Sequence, residues 1–146
     1  MTVYFDTSVL VAAVLPDHPH HAAAKGALRR IRDGKAAGCL AAHGLAELYA
    51  VLTRIPLAPP VYPAEAWRIL ERDILPWLAL TTMTGKEHKE ALRTCAAAGW
   101  AGGKVYDALH IAAARKARCA RIYTFNVRHF RELAPDLADR IAAPSA

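Results

Sequence analysis

The sequence has 146 residues, of which 54% are hydrophobic, and its formal net charge is +6. This length suits one compact domain, residues 1–146, and leaves little room for a second, while the apolar content allows a sizeable core. The longest uninterrupted apolar run, Val9 to Leu15, is much shorter than the roughly 20 residues that cross a bilayer. No signal peptide opens the chain, so we expect a cytoplasmic protein without a membrane partner.

The positive charge indicates the kind of binding partner, and the few cysteines argue against two kinds of structural site. The charge favours attraction to polyanions such as nucleic acid, or to an acidic protein. The three cysteines, Cys39, Cys95 and Cys119, contain no C-x-x-C pair, which argues against a disulfide framework and against a cysteine zinc site. We expect them to be small core residues in a reducing compartment.

Strand and helix signals alternate along the whole chain. A buried strand at residues 2–5 ends in Asp6 and leads directly into a helix that starts at Thr7 and Ser8 and continues through residue 15. The further predicted elements are helix 20–32, strand 39–42, helix 44–54, helix 64–75, strand 78–82, helix 85–98, helix 104–118 and strand 121–125. Thr84 and Glu87 have the spacing of a capping box. Four prolines make residues 55–63 a connecting loop.

Two of these helices have apolar residues at helical spacing. Leu45, Leu48, Tyr49 and Leu52 predict the inward face of the helix at 44–54, with Glu47 at its border. The helix at 64–75 has an equivalent stripe: Trp67, Leu70, Ile74 and Leu75.

Strands separated by helices, without tight hairpin signals, predict an α/β fold with a mainly parallel sheet. In such sheets, ligands bind beyond the carboxyl ends of the strands, near the point where the strand order reverses. Asp6 and Asn126 both follow strands, Asp107 lies in the first turn of a helix, and Glu47 lies in the helix after the second strand. We therefore expect the acids to converge at one edge of the sheet.

Three of these residues form a set of hard oxygen ligands. Asp6, Glu47 and Asp107 offer the carboxylates that Mg²⁺ or Mn²⁺ prefers. Mutual repulsion would raise the pKa of at least one of them, whereas a bound dication keeps all three ionised. Such an ion would polarise a phosphodiester and make hydroxide available near neutral pH. The sequence therefore predicts metal-dependent phosphodiester hydrolysis without a covalent enzyme intermediate.

Four segments of the chain carry a resemblance to a known family. They are Asp6-Thr7-Ser8, Ala46-Glu47-Leu48, Tyr106-Asp107-Ala108-Leu109-His110 and Thr124-Phe125-Asn126-Val127-Arg128-His129-Phe130. Their order and spacing over nearly the full length resemble PIN-domain endoribonucleases of the VapC toxin type. The resemblance implies a PIN-like three-layer α/β/α sandwich, with a mainly parallel sheet of four or five strands. It also implies a magnesium or manganese ion, an RNA substrate, a homodimer, and a cognate antitoxin that inhibits by entering the active-site region.

The same resemblance assigns roles to individual residues. The catalytic positions are three acids, one amide and two hydroxyls: Asp6, Glu47, Asp107, Asn126, Ser8 and Thr124. The three acids are the implied metal ligands. The fourth acidic position of the family often holds Asp, and Asn126 brings no negative charge there, so a second tightly held ion would need the substrate phosphate. The hydroxyls of Ser8 and Thr124 are suited to orient a carboxylate or a water molecule.

Simpler interpretations exist for each of these residues. Asp6 and Asp107 lie where acids commonly stabilise helix starts. Glu47 is also placed to pair with Arg54, and Asn126 is a common turn residue after a strand.

Residues outside the acid set have weaker assignments. Arg128 and Arg131 follow Asn126 closely enough to contact substrate phosphates, and Trp100, in a glycine-rich loop, is suited to stack on an unpaired base. His110 is expected to pack or to support the site, because a hard cation prefers oxygen. A solvated loop is expected for three other histidines: His18, His20 and His21.

Two other functions remain open from the sequence. The missing fourth carboxylate at Asn126 fits a catalytically weak module that binds RNA or an antitoxin through its basic surface. A metal-dependent nuclease of DNA structures would use the same acids, and only its preference between RNA and DNA would distinguish it.

Overall fold

The computed structural model describes residues 1–145. Its strands are β1 Thr2–Phe5, β2 Ala37–Ala41, β3 Leu78–Thr81, β4 Arg121–Tyr123 and β5 Ile141–Ala142. Its α-helices are α1 Thr7–Val14, α2 His21–Arg32, α3 Ala42–Arg54, α4 Pro63–Ile69, α5 Gly85–Ala98, α6 Lys104–Lys116 and α7 Val127–Leu133. A π-helical turn, Leu70–Ile74, continues α4, and a 3-10 helix, Pro135–Arg140, precedes β5.

The five strands form one sheet in the order β3-β2-β1-β4-β5, and every neighbouring pair is parallel. The chain moves outward from the central β1 to β2 and β3, and then returns to the other side of β1 for β4 and β5. The strand order therefore reverses beside β1, and the carboxyl ends of β1 and β4 form the switch point where ligands bind in such sheets. The predicted parallel α/β sheet is confirmed.

Alternation along β1 divides the interior into two cores. Val3 and Phe5 belong to a core that includes buried residues of α1, α2, α3 and α4, whereas Tyr4 belongs to a core with α6 and α7. Phe130 of α7 is fully buried in the second core. Helices thus cover both faces of the sheet, which is the predicted three-layer sandwich.

The predicted inward stripes of two helices are partly wrong. Tyr49 is 37% exposed and Trp67 is 49% exposed, although Leu48 and Leu52 are fully buried. In α3 the buried face is shifted toward Val51, which packs on the core from the opposite side of the stripe. Neighbouring positions on a helix differ by about 100°, so spacing alone leaves the edge of a buried face undetermined.

The C-terminal part of the chain contains three elements that the sequence pattern did not delimit: α7, the 3-10 helix and the two-residue β5. β4 also ends at Tyr123, earlier than predicted, so Phe125 lies in the loop that follows it.

The capping box is confirmed, because Thr84 and Glu87 exchange side-chain and backbone hydrogen bonds at the start of α5. All three cysteines are buried, as predicted. Among the described residues, no helix is long and apolar enough to cross a membrane.

Candidate active site

A cavity of about 380 Å³ opens at the carboxyl edge of the sheet, beside the switch point. Asp6 enters it from the end of β1, Glu47 from α3, Asp107 from the first turn of α6, and Asn126 from the loop after β4. The fold therefore brings together four side chains that are up to 120 positions apart in the sequence. Ser8 also lines the cavity, and Thr124 lies buried behind it.

Asp6 is held by three hydrogen bonds. It is the N-cap of α1, where the Thr7 backbone N–H donates to Oδ1 at 2.8 Å. The hydroxyls of Ser8 and Thr124 both donate to Oδ2, each at 2.8 Å. The capping interpretation and the cavity interpretation of Asp6 are therefore compatible, because the cap fixes a carboxylate that still lines the cavity.

Backbone groups set the direction of both hydroxyls. The Phe125 N–H donates to Ser8 Oγ at 3.1 Å, and the Asn126 N–H donates to Thr124 Oγ1 at 3.0 Å. Because each hydroxyl oxygen already accepts one proton, its own proton is free to point at Asp6. The loop after β4 therefore orients the carboxylate that follows β1.

His110 lies between two of the acids and is fully buried. Its Nε2 is 3.2 Å from Glu47 Oε1 and 3.4 Å from Asp6 Oδ1. On the other side of the ring, Nδ1 is 2.5 Å from the Tyr4 hydroxyl, which accepts the Ala41 N–H at 3.0 Å. Since the Tyr4 oxygen accepts from Ala41, its proton is directed at Nδ1, and a neutral His110 carries its own proton on Nε2.

The direction of the His110 pKa shift also makes Nε2 a hydrogen-bond donor. Burial opposes the charged ring, but the hydrogen bond to Glu47 and the charges of Asp6 and Glu47 together raise the pKa of His110 above its usual value. Nε2 carries a proton in both the cation and the neutral tautomer. Ligand atoms of His43, Glu47 and His110 lie within 4.8 Å of one another, yet this protonation makes His110 a donor to the carboxylates.

Glu47 remains ionised in this setting. Burial alone would raise its pKa, but the neighbouring His110 and His43 rings lower the pKa of Glu47 to about 2. His43 Nε2 is 2.9 Å and His110 Nε2 is 3.2 Å from Oε1, but neither contact has hydrogen-bond geometry, so Oε1 is a buried atom without a hydrogen-bond partner among residues 1–145. Arg54 does not form an ion pair with Glu47 there. A buried carboxylate oxygen in this state is suited to a cation.

Asp107 is the acid of the cluster whose charged form is disfavoured. Burial and the charge of Asp6 raise its pKa, although His129 acts in the opposite direction. His129 Nδ1 is 2.8 Å from Asp107 Oδ2, which orients that carboxylate from α7. Because burial and neighbouring acids disfavour the charged form of Asp107, a positive ion bound beside it would stabilise that form.

The family follows from a comparison with known proteins. A family model described as PIN domain matches residues 3–135. This chain belongs to the PIN-domain family. Among curated proteins, it is similar to Ribonuclease VapC27 of Mycobacterium tuberculosis, with 37% identity over 113 residues that cover 77% of each protein. The resemblance seen in the motifs is confirmed.

Solved structures show the same fold. The PIN domain is similar to VapC20 of Mycobacterium tuberculosis, a sarcin-ricin loop cleaving toxin, with a TM-score of 0.66 and 20% identity, over 85% of this chain and 89% of that one. It is also similar to VapBC2 of Rickettsia felis, bound to a DNA fragment from its promoter, with a TM-score of 0.65 and 17% identity, over 92% and 94% of the chains.

The three predicted substrate contacts do not line the cavity that holds the acids of this PIN domain. Trp100 lines a separate cavity of about 490 Å³ between α5 and α6, and none of the three acids lines that cavity. Arg131 donates to the Ile141 carbonyl at 2.8 Å, which ties α7 to β5. Arg128 is 94% exposed, pairs with Glu132, and lines a shallow cavity that shares Asn126 with the acidic one.

The PIN domain also places residues in the cavity region that the sequence did not identify. His43 and His129 contact the acids directly, and Tyr4 acts through His110. The loop with His18 and His20, expected only to be solvated, also differs from the expectation, because both of these residues line the acidic cavity. Only His43 had a local signal, since it lies four positions before Glu47 and therefore on the same face of α3.

Proposed function

We propose that this PIN-domain protein is a metal-dependent endoribonuclease and the toxin component of a toxin–antitoxin pair. The observation that carries the proposal is the convergence of Asp6, Glu47 and Asp107, from three separate elements, on one open cavity. The similarity to a ribonuclease at 37% identity supports RNA as the substrate. The net charge of +6 supports binding of a polyanion.

Mg²⁺ or Mn²⁺ fits the donor set of this cavity. Glu47 Oε1, which has no hydrogen-bond partner among residues 1–145, and the raised pKa of Asp107 both favour a positive ion, and the donors are carboxylate oxygens. Asp6, Glu47 and Asp107 would hold it. When bound, such an ion polarises a phosphodiester and lowers the pKa of water, so that hydroxide is available near neutral pH.

The other residues of the chain position these groups. Ser8 and Thr124 fix the carboxylate of Asp6, and His129 fixes that of Asp107. Asn126 lies at the rim, where its amide can donate to a phosphate oxygen without adding negative charge. The neutral rim lowers repulsion of the incoming RNA backbone, whereas a fourth acid would increase it.

We further propose a homodimer and a cognate antitoxin as partners. Large exposed apolar side chains on and near α3 and α4 supply surface for such contacts: Tyr49, Leu57, Tyr62 and Trp67. The VapBC2 neighbour supports an antitoxin by analogy, at the level of fold.

Cleavage of RNA by purified protein tests the proposal. We expect labelled RNA to be cut in Mg²⁺ or Mn²⁺, to give 5′-phosphate and 3′-hydroxyl ends, and to remain intact in excess EDTA. Asp107→Asn should lose more than about 100-fold in rate, because a direct ligand matters more than the outer partners whose loss costs 10–100-fold. Asp33→Asn, at an exposed helix end, is the matched control and should cleave like the parent. Cleavage that persists in EDTA contradicts the mechanism.

Two further measurements separate the alternatives. A matched DNA strand should resist cleavage, whereas a nuclease of DNA structures would cut it. Induced expression should arrest growth only when Asp107 is intact, while binding to the antitoxin persists in Asp107→Asn. Equal arrest by parent and variant would instead favour the binding module.

A further inference from the structure

Three flat rings form one wall of the acidic cavity. His20 stacks on Phe125 with ring centroids 4.6 Å apart and planes 23° apart, and His18 lies 6.4 Å from Phe125 with planes 21° apart. The same cavity is lined by Asp6 and Asp107. We call His18, His20 and Phe125 the ring platform. It lies directly beside the place where the scissile phosphate would be held.

The ring platform is tied to the acids by the backbone. Phe125 N–H donates to Ser8 Oγ, whose proton goes to Asp6, so the loop that carries Phe125 is fixed by the same hydrogen bonds that fix the carboxylate. The His18 backbone N–H donates to the Leu15 carbonyl at 3.0 Å, and the His20 N–H donates to His18 Nδ1 at 3.0 Å. Both sides of the platform are therefore ordered before any ligand binds, which lowers the entropic cost of binding.

The rings remain accessible in this arrangement. His20 is exposed, and His18 and Phe125 are half-buried. Burial and the neighbouring His20 and His21 lower the pKa of His18, which favours a neutral ring. All three rings attract other flat rings through their faces, and the edges of the two imidazoles also offer nitrogen atoms for hydrogen bonds.

We propose that the ring platform binds one unpaired nucleobase of the RNA, next to the bond that is cut. This inference rests on the proposed ribonuclease function. Proteins that bind single-stranded RNA stack its bases on aromatic side chains and follow its backbone with polar groups, and here the two features adjoin in one cavity. A volume of about 380 Å³ falls in the range of small-ligand pockets. Trp100 faces a different cavity, so it is not part of this contact.

His20 is the residue to test, because it is exposed and stacked, so its replacement should leave the fold intact. His20→Phe keeps a ring without nitrogen, His20→Lys keeps a positive charge without a ring, and His20→Ala removes both. His88 is an exposed histidine on α5 and provides the control His88→Ala. Melting curves of all four variants should match the parent.

A binding assay that needs no cleavage provides the first readout. The probe is a single-stranded RNA of mixed sequence with 2-aminopurine, whose fluorescence falls when it stacks, and the protein carries Asp107→Asn so that the RNA stays intact. We expect quenching with the parent ring platform, and a loss of about 10-fold in affinity with His20→Ala. His20→Phe should retain binding and quenching, whereas His20→Lys should not. Restoration by Lys but not by Phe, or equal binding by His20→Ala and His88→Ala, would overturn the proposal.

Cleavage by protein with Asp107 intact provides the second readout. Replacing the base beside the cut bond by an abasic site should slow the parent about 10-fold and should have little effect on His20→Ala, because the contact is already lost. If the losses of rate caused by the abasic site and by His20→Ala multiply when the two are combined, the base does not contact His20. Parental cleavage by His20→Ala alongside inactive Asp107→Asn would overturn the ring platform alone. Absence of metal-dependent RNA cleavage by the parent would instead overturn the proposed function. The fluorescence assay would still show whether the ring platform binds a base, because it needs no cleavage.

Discussion

Tyr4→Phe removes one oxygen from the centre of the molecule and keeps the ring that packs there. The Tyr4 side chain is fully buried, and its hydroxyl joins the Ala41 N–H, at 3.0 Å, to His110 Nδ1. Without the hydroxyl, both groups lose a partner in a place that water does not reach. A buried group left unsatisfied costs about 1–3 kcal/mol, so we expect the free energy of unfolding to fall by about 2–4 kcal/mol.

Denaturant unfolding followed by a spectroscopic signal measures this loss. For a domain of this size, 1 kcal/mol corresponds to about 2–4 °C in Tm, so a fall of roughly 5–15 °C is expected in a thermal scan. Tyr62→Phe is the matched control, because the Tyr62 side chain is 62% exposed, and its change should stay within about 0.5 kcal/mol. A Tyr4→Phe protein as stable as this control would show that the hydroxyl does not bridge Ala41 and His110.

Three other perturbations have defined outcomes. Gly38→Ala should cost about 1–3 kcal/mol of stability in denaturant unfolding, because a Cβ there would lie 2.5 Å from Leu78 Cδ2, whereas Gly26→Ala, with open space, should be neutral or stabilising. Thr124→Val should lower stability by about 1–3 kcal/mol and weaken Mg²⁺ binding in calorimetry, because it removes the hydroxyl between Asn126 N–H and Asp6, and Thr124→Ser should restore both. Mg²⁺ affinity should rise with pH, by up to about tenfold per pH unit for each proton released, because the raised pKa values of Asp107 and His110 leave protons to be displaced at low pH. Equal affinity at about pH 5.5 and about pH 8 would contradict this coupling.

Local sequence patterns predicted most of the elements, since strand and helix periodicities depend on residues that are close in the chain. The strand before Asp6 and the capping box at Thr84 are examples. The patterns failed where a long-range contact decided the outcome. Trp67 lies outward although its spacing fits an apolar stripe, and β5 has only two residues and exists because it pairs with β4.

In the candidate site, too, some positions were predicted from local patterns and others were decided by long-range contacts. Acids placed after strands and at helix starts predicted which carboxylates share an edge, because parallel strands all end on one side of a sheet. Arg131 was assigned to the substrate because it closely follows Asn126, and Trp100 because it is an aromatic residue in a glycine-rich loop. The structure places Arg131 on the Ile141 carbonyl and Trp100 in another cavity. Proximity in sequence is a weak guide to proximity in space once a helix intervenes.

The sequence by itself determined the chemistry that this protein can offer: hard oxygen donors, a basic surface and a parallel α/β frame. Only the tertiary structure decided which neutral and basic groups surround those donors. His110 lies between Asp6 and Glu47, and the rings of His20 and Phe125 stack, because β1, β4 and the helices beside them meet at one switch point. Such contacts join residues about 60 to 105 positions apart, and a periodicity of two or 3.6 residues contains no information about them.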